Sequence, residues 1–178
     1  MKPALPVMSL VLLFGCDIGD RPVVVDDVHG LAQRGDTGRL MQTITAAGEV
    51  DPRDICYRTP LMLASQYGHL GTVEQLLAAG ARVDLHEKGY YTALMLAAGN
   101  GHADVVRRLA AAGAVVDEVE ITRGWTALIW AAKRGHATTV STLLELGANR
   151  TLRDAQGRSA LDWARASGHA EVVAMLTS

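Results

Sequence analysis

The sequence predicts an all-α repeat solenoid of about five stacked units, and three observations carry that prediction. One eleven-residue phrase is written four times: TPLMLASQYGH (Thr59 to His69), TALMLAAGNGH (Thr92 to His102), TALIWAAKRGH (Thr126 to His136) and SALDWARASGH (Ser159 to His169). The intervals are 33, 34 and 33 residues, and a fixed period of that size marks supersecondary units that bury their cores against one another. Around each phrase the same punctuation returns in register, with a hydroxyl residue before the apolar run and Gly-His after it.

Each unit follows from its residues in order. Thr59, Thr92, Thr126 and Ser159 suit helix N-caps, where a side-chain oxygen accepts from a free N–H of the first turn. Pro60 falls at the first helical position, where its missing N–H costs nothing. The small pairs Ala64/Ser65, Ala97/Ala98 and Ala131/Ala132 let this first helix approach its neighbours closely, and Gly68, Gly101, Gly135 and Gly168 end it. A second helix follows, with Val73, Leu76 and Leu77, then Val106 and Leu109, then Val140, Leu143 and Leu144 at helical spacing. Gly80, Gly113 and Gly147 stop it, and a polar stretch leads to the next cap as an extended finger. The longer interval places one extra residue in the finger Val116 to Gly124. One period before Thr59 stands Asp26, itself a fitting N-cap, with Gly35, Leu40, Ile44 and Val50 in register behind it. That degenerate first unit suits an end cap, and the last unit closes the stack at Met175-Leu176.

The recurring cap, alanines, Gly-His, Leu-Leu and Gly-Ala resemble the ankyrin repeat, a 33-residue unit with the signature T-P-L-H-x-A. The resemblance implies helix-turn-helix pairs with β-hairpin-like fingers, in repeats of approximately 26–53, 54–86, 87–120, 121–153 and 154–178. It also implies a monomeric, non-enzymatic protein-binding module. One departure is plain: Met62, Met95, Ile129 and Asp162 replace the signature histidine, so the cap-to-histidine hydrogen bond is expected to be absent.

Residues 1–15 do not belong to the stack. Lys2 and the apolar run Val7 to Phe14 read as a secretory signal, since the run is shorter than the about 20 residues a membrane span needs. Leu13-Phe14-Gly15-Cys16 resembles the lipobox of bacterial lipoproteins, although Phe14 departs from the usual residue type. The resemblance implies lipid attachment at Cys16, a tether over residues 16–25 and a place on the periplasmic side of a membrane. Asp17 resembles an inner-membrane retention signal. Plain secretion into the periplasm and a cytosolic adaptor with a misleading N-terminus are the alternatives. With Cys16 lipidated, Cys56 stands alone and no internal disulfide is expected; a Cys16–Cys56 bond requires that lipidation fail.

No catalytic, cofactor or metal constellation is legible. His69, His102, His136 and His169 recur one per unit, and helices about 8–10 Å apart place such equivalents badly for one ion. In the family this histidine belongs to the turn between helices. Trp130 and Trp163 stand where earlier phrases have Leu63 and Leu96, and read as bulky packing residues. The formal net charge of −2 argues against a nucleic-acid partner.

In the family, partners meet the finger tips and the exposed side of the first helices. The residues one, three and four before each cap, and seven and eight after it, give twenty positions. They hold six basic residues and no acidic one, leaving eleven basic against nineteen acidic residues elsewhere. The candidate protein-binding residues are Arg58, Tyr67, Lys88, Tyr91, Asn100, Arg123, Trp125, Lys133, Arg134 and Arg158. Arg58, Tyr91, Trp125 and Arg158 form a line just before the caps, and Tyr, Trp and Arg are the types most enriched in binding hot spots. The expected partner is a protein with an acidic, partly apolar surface. An immunity-type inhibitor of a toxic enzyme and a scaffold for an envelope enzyme are the two expected roles.

Overall fold

The structure, a computed structural model, describes residues 27–177. The expected signal (1–15), lipidation at Cys16, tether (16–25) and Asp26 all lie outside the described residues.

Among the described residues there are ten helices and no strand. They form five antiparallel pairs: α1 (Val28–Arg34) with α2 (Thr37–Ala47), α3 (Pro60–Gln66) with α4 (Leu70–Ala78), α5 (Ala93–Gly99) with α6 (Ala103–Ala111), α7 (Ala127–Arg134) with α8 (Ala137–Glu145), and α9 (Ala160–Ala166) with α10 (Ala170–Thr177). The odd-numbered helices pack on one another as an inner layer, and the even-numbered ones form an outer layer. The all-helical solenoid read from the repeat is the architecture observed.

The core runs the length of the stack. The inner helices are nearly engulfed: every residue of α5 is buried, as are Ala127–Ile129, Ala131 and Ala132 of α7. Small side chains make this possible, because Ala64, Ala97, Ala98, Ala131 and Ala132 let neighbouring backbones close up while Leu61, Leu94 and Leu128 fill the space between them. The outer helices contribute one stripe each, with Val73 and Leu76, Val106 and Leu109, and Val140 and Leu143 buried.

The caps work as their residue types require. The hydroxyls of Thr59, Thr92, Thr126 and Ser159 each accept from the backbone N–H three residues on, all at 3.3 Å. In the first unit the cap is Asp27, one place after the expected Asp26, and it accepts from His29 N–H at 3.1 Å. The cap-to-histidine bond is absent as expected of Met62, Met95, Ile129 and Asp162, but two units replace it, and in the second unit the Thr59 N–H is 3.5 Å from Met62 Sδ. Asp162 accepts from both the backbone N–H (2.9 Å) and hydroxyl (2.8 Å) of Ser159, a full capping box.

Four histidines stitch the units together. His69 Nε2 lies 2.9 Å from the carbonyl of Gln33, and His102, His136 and His169 make the same contact at 3.1 Å with Gln66, Gly99 and Lys133. Each ring thus bonds to the end of the preceding inner helix, whose last carbonyls have no helical partner. The glycine before it is needed twice over. Gly135 has φ +76, and a Cβ there would come within 2.6 Å of the His169 ring.

The fingers are tight turns rather than strand pairs. Their only ladder contacts among the described residues are isolated antiparallel bridges, His86 with Thr92 and Arg153 with Ser159. Adjacent fingers are joined by backbone bonds from Lys88 N–H to Cys56 O (3.0 Å) and Ala155 N–H to Arg123 O (2.8 Å).

Candidate functional site

Each finger, numbered two to five after the unit whose cap it precedes, folds around a carboxylate. Asp54, Glu87, Glu120 and Asp154 recur with the repeat, five or six residues before each cap, and their oxygens gather the N–H groups of the turn that follows. Asp54 accepts from Cys56 and Arg58 N–H at 2.8 and 2.9 Å, and Asp154 does the same for Gln156 and Arg158, both at 2.9 Å. Glu120, wholly buried, accepts from the backbone of Thr122 (2.8 Å), Arg123 (2.7 Å) and Trp125 (3.3 Å) and from the Thr122 hydroxyl. Burial by itself would raise these three carboxyls, yet the converging donors hold Asp54, Glu120 and Asp154 below their ordinary values. Glu87 has fewer donors, and burial pushes it up.

These turns also account for the longer finger. In the other three fingers the carboxylate residue's N–H bonds to the carbonyl four residues on, Asp54 to Arg58, Glu87 to Tyr91 and Asp154 to Arg158. Glu120 reaches five on, to Trp125, so the extra residue lies between them. The third residue after the carboxylate takes a left-handed backbone in the two ordinary fingers before it, and there it is tyrosine: Tyr57 at φ +63 and Tyr90 at φ +64. The equivalent residues in the fourth and fifth fingers are Gly124 and Gly157. A left-handed non-glycine residue costs on the order of 1 kcal/mol, and neither tyrosine is buried to offset it. Both stand exposed at the finger tips, in line with Ile55 (72% exposed) and Ile121 (68%).

The six cations chosen from the sequence separate into two groups. Arg58 and Arg158 are tied down: Arg58 holds Asp54 through Nε and Nη2, both at 2.8 Å, and Arg158 Nε lies 3.5 Å from Asp154. Lys88, Arg123, Lys133 and Arg134 have no ion pair among the described residues, and each lies over an aromatic ring instead. Lys88 stands 5.2 Å from the Tyr57 centroid, Arg123 4.9 Å from Trp125, and Arg134 5.3 Å from Trp130. Lys133 lies between two indoles, 5.0 Å from Trp125 and 4.9 Å from Trp163. Each such contact is worth about 0.5–1 kcal/mol where exposed and more where desolvated.

The line Arg58–Tyr91–Trp125–Arg158 is therefore not a row of free side chains. Trp125 is 8% exposed, and its N–H donates to Asp154 at 3.3 Å beside that of Trp163 at 2.9 Å. Tyr91 is half-buried, edge-on to Trp130 with centroids 4.9 Å apart. Trp125 in turn meets Trp130 at 5.7 Å and Trp163 at 5.3 Å, both edge-on. Trp130 and Trp163 do pack on the core as expected, and they also wall this cluster. Tyr67 is exposed and accepts from Gln33 at 2.9 Å, while Asn100 accepts from Arg134 at 3.3 Å.

Most of the candidate residues thus fall into an aromatic and cationic cluster on units three to five, and a tyrosine edge on fingers two and three stands beside them. Sequence reasoning missed Tyr57 and Tyr90 and the carboxylate line. The signal was the register, since tyrosine stands where the later fingers have glycine, and acid recurs at one place in every finger. Cys56 is also corrected: it is 2% exposed and disulfide-bonded, with its partner outside the described residues. No group of three or more His, Cys, Asp or Glu able to hold a metal ion exists among the described residues.

A family model described as "Ankyrin repeats (3 copies)" matches residues 28–120 and 111–178. No curated protein matches the chain.

Proposed function

The chain belongs to the ankyrin-repeat family, a protein–protein interaction module, and from that premise we propose that it binds an acidic, partly apolar protein surface without catalysing a reaction. The observation that carries this reading is the set of four cations, Lys88, Arg123, Lys133 and Arg134, seated on aromatic rings with no carboxylate partner among the described residues. Such a face offers charge and apolar area together. The tyrosine edge supports the same reading, because Tyr57 and Tyr90 are exposed in a left-handed backbone and their neighbours there are the surface side chains Arg53, Lys88 and His86 rather than the core.

Complementary charge speeds encounter and imposes specificity, so complex formation should weaken as salt rises. The test is the double reversal Arg123→Glu/Arg134→Glu, whose targets are both exposed. We expect loss of partner capture in a protein that still folds, its stability lowered by about 1–2 kcal/mol for the two lost cation–π contacts. Undiminished capture would overturn the assignment of the face.

The wider role we propose is an exported protein on the periplasmic side of a bacterial membrane that inhibits a toxic enzyme, held to the membrane by lipid on Cys16 in a form whose Cys56 is not bonded to it. The lipobox-like Leu13–Cys16 supports the anchor. The disulfide at Cys56 supports export in a different form, since such bonds persist in oxidising compartments. Cys16 and Cys56 are the only cysteines, and a lipid thioether and a disulfide cannot share the Cys16 sulfur. Intact mass without reductant, with palmitate labelling of wild type and Cys16→Ala, decides between an anchored and a soluble periplasmic form. Pull-down from the membrane fraction decides the role. A captured enzyme silenced in the complex supports inhibition, and one that remains active makes the protein a scaffold.

A further inference from the structure

We infer that the hollow between the fourth and fifth fingers is a carboxylate subsite, taking one aspartate or glutamate side chain of the partner against Lys133. The inference rests on the protein-binding reading above, and adds where the acid goes and what receives it.

The hollow measures about 360 Å³ and is open to solvent, with Arg123, Trp125, Lys133, Asp154, Arg158 and Trp163 in its wall. Three of these are cations and one is an acid. The acid is already spent: Asp154 Oδ1 takes two backbone N–H groups and Oδ2 takes the two indole N–H groups of Trp125 and Trp163. The side chain of Asp154 is 1% exposed, so it sits behind the wall and not in the opening.

Two of the three cations are not spent, Arg158 being tied to Asp154 of its own finger. An ammonium carries three donors and a guanidinium five. Neither the Lys133 ammonium nor the Arg123 guanidinium has a side-chain acceptor among the described residues, and both are held on the Trp125 ring. Arg158 gives one N–H to Gln156 and stacks 3.6 Å from the Trp163 centroid, but its buried Nε makes no aligned hydrogen bond. Two indole rings flank the Lys133 ammonium and take the place of water on those sides. A charge-assisted bond to an arriving carboxylate is stronger in that setting than on an open surface.

A phosphate dianion is attracted to these cations about twice as strongly as a carboxylate and repelled by Asp154 about twice as strongly, so it is the competing ligand that the test has to exclude. The indole edges beside the opening suit an apolar residue next to the acid.

All three tryptophans of the chain lie in this cluster, so their emission reads the site directly. The probe is the blocked tripeptide acetyl-Phe-Glu-Phe-amide, whose only charge is the side-chain carboxylate, titrated into the full chain. We expect a saturable emission change. Affinity should fall at least tenfold for the Gln peptide and for Lys133→Met, which keeps the apolar stem. Arg123→Gln, at an exposed position, serves as the second variant should Lys133→Met fail to fold, and is expected to weaken the Glu peptide likewise. Equal binding of the Gln peptide, no response to the Glu peptide, unchanged affinity in the folded variants, or tighter binding of a phosphoserine peptide would each overturn the proposal. With a captured partner, retention by Lys133→Met but loss in Arg123→Glu/Arg134→Glu removes the subsite and leaves the binding face standing.

Discussion

At the scale of single residues, the tightest constraint on the aromatic cluster is the absence of a side chain. Gly99 ends α5 at a position where other units have Gln66, Lys133 and Ala166. Replacing glycine by alanine inside a helix ordinarily stabilises by about 1 kcal/mol. Here a Cβ would come within 2.0 Å of Trp130 Cε3, and that ring is held by Tyr91 and Trp125. Overpacking of this kind costs about 1–3 kcal/mol, so the clash wins. Gly99→Ala should lower the melting temperature by several degrees, and Gly99→Ala/Trp130→Leu should recover most of the loss, since Leu63 and Leu96 fill that register elsewhere. A stabilised single variant would disprove the account. Nothing in the sequence marks this glycine off from the many that serve turns; only the facing indole does.

The finger is the element whose shape decides the site, and it is built on its carboxylate. Both oxygens of Asp154 accept two N–H groups each, so an amide in its place would aim its own NH₂ at donors whichever way it turned. Leaving buried donors unmet costs about 1–3 kcal/mol. Asp154→Asn should therefore destabilise by that amount and also shift tryptophan emission, because the indoles of Trp125 and Trp163 lose their shared acceptor. Thermal melts followed by circular dichroism and by fluorescence test the two parts separately; an unchanged emission spectrum would contradict the shared-acceptor geometry. The inner and outer helices were legible in advance from cap, alanine pair and apolar stripe. The finger was not, because an acid recurring once per unit in a polar stretch looks like any solvated charge until the turn N–H groups it gathers are seen.

Across the whole molecule, the cations seated on aromatic rings gather on one side. The outer helices are near balance, with Glu74, Asp104, Glu145 and Glu171 against Arg39, Arg107 and Arg108 and an ion pair between Arg107 and Glu145, while the cations of the cluster lie on fingers and inner helices. Stability should follow pH in two stages. Burial lowers His136 below its ordinary value, so the unfolded chain takes up its proton first, and stability present above about pH 6.5 declines below it. Asp54, Glu120, Asp154 and Asp162 are also lowered, so their contribution is present above about pH 4 and is lost as pH falls through their folded values. Asp51 and Glu87, raised by burial, act with the opposite sign and offset part of that loss. A melting-temperature profile from pH 7 to 3 should show both declines, and His136→Gln should flatten the first. A variant slope equal to wild type would remove His136 as its source.

The sequence by itself determined the solenoid, the number and register of its units, the caps, and the place of the extra residue. Those features come from contacts within one unit or between a unit and its identical neighbour, so they repeat and can be counted. Only the tertiary structure decided which cations are free, since Arg58 and Arg158 are claimed by carboxylates of their own fingers while Lys133 is left between indoles of two successive units. That outcome depends on side chains some thirty residues apart meeting across the stack, where the residues differ from unit to unit and the repeat gives no guide.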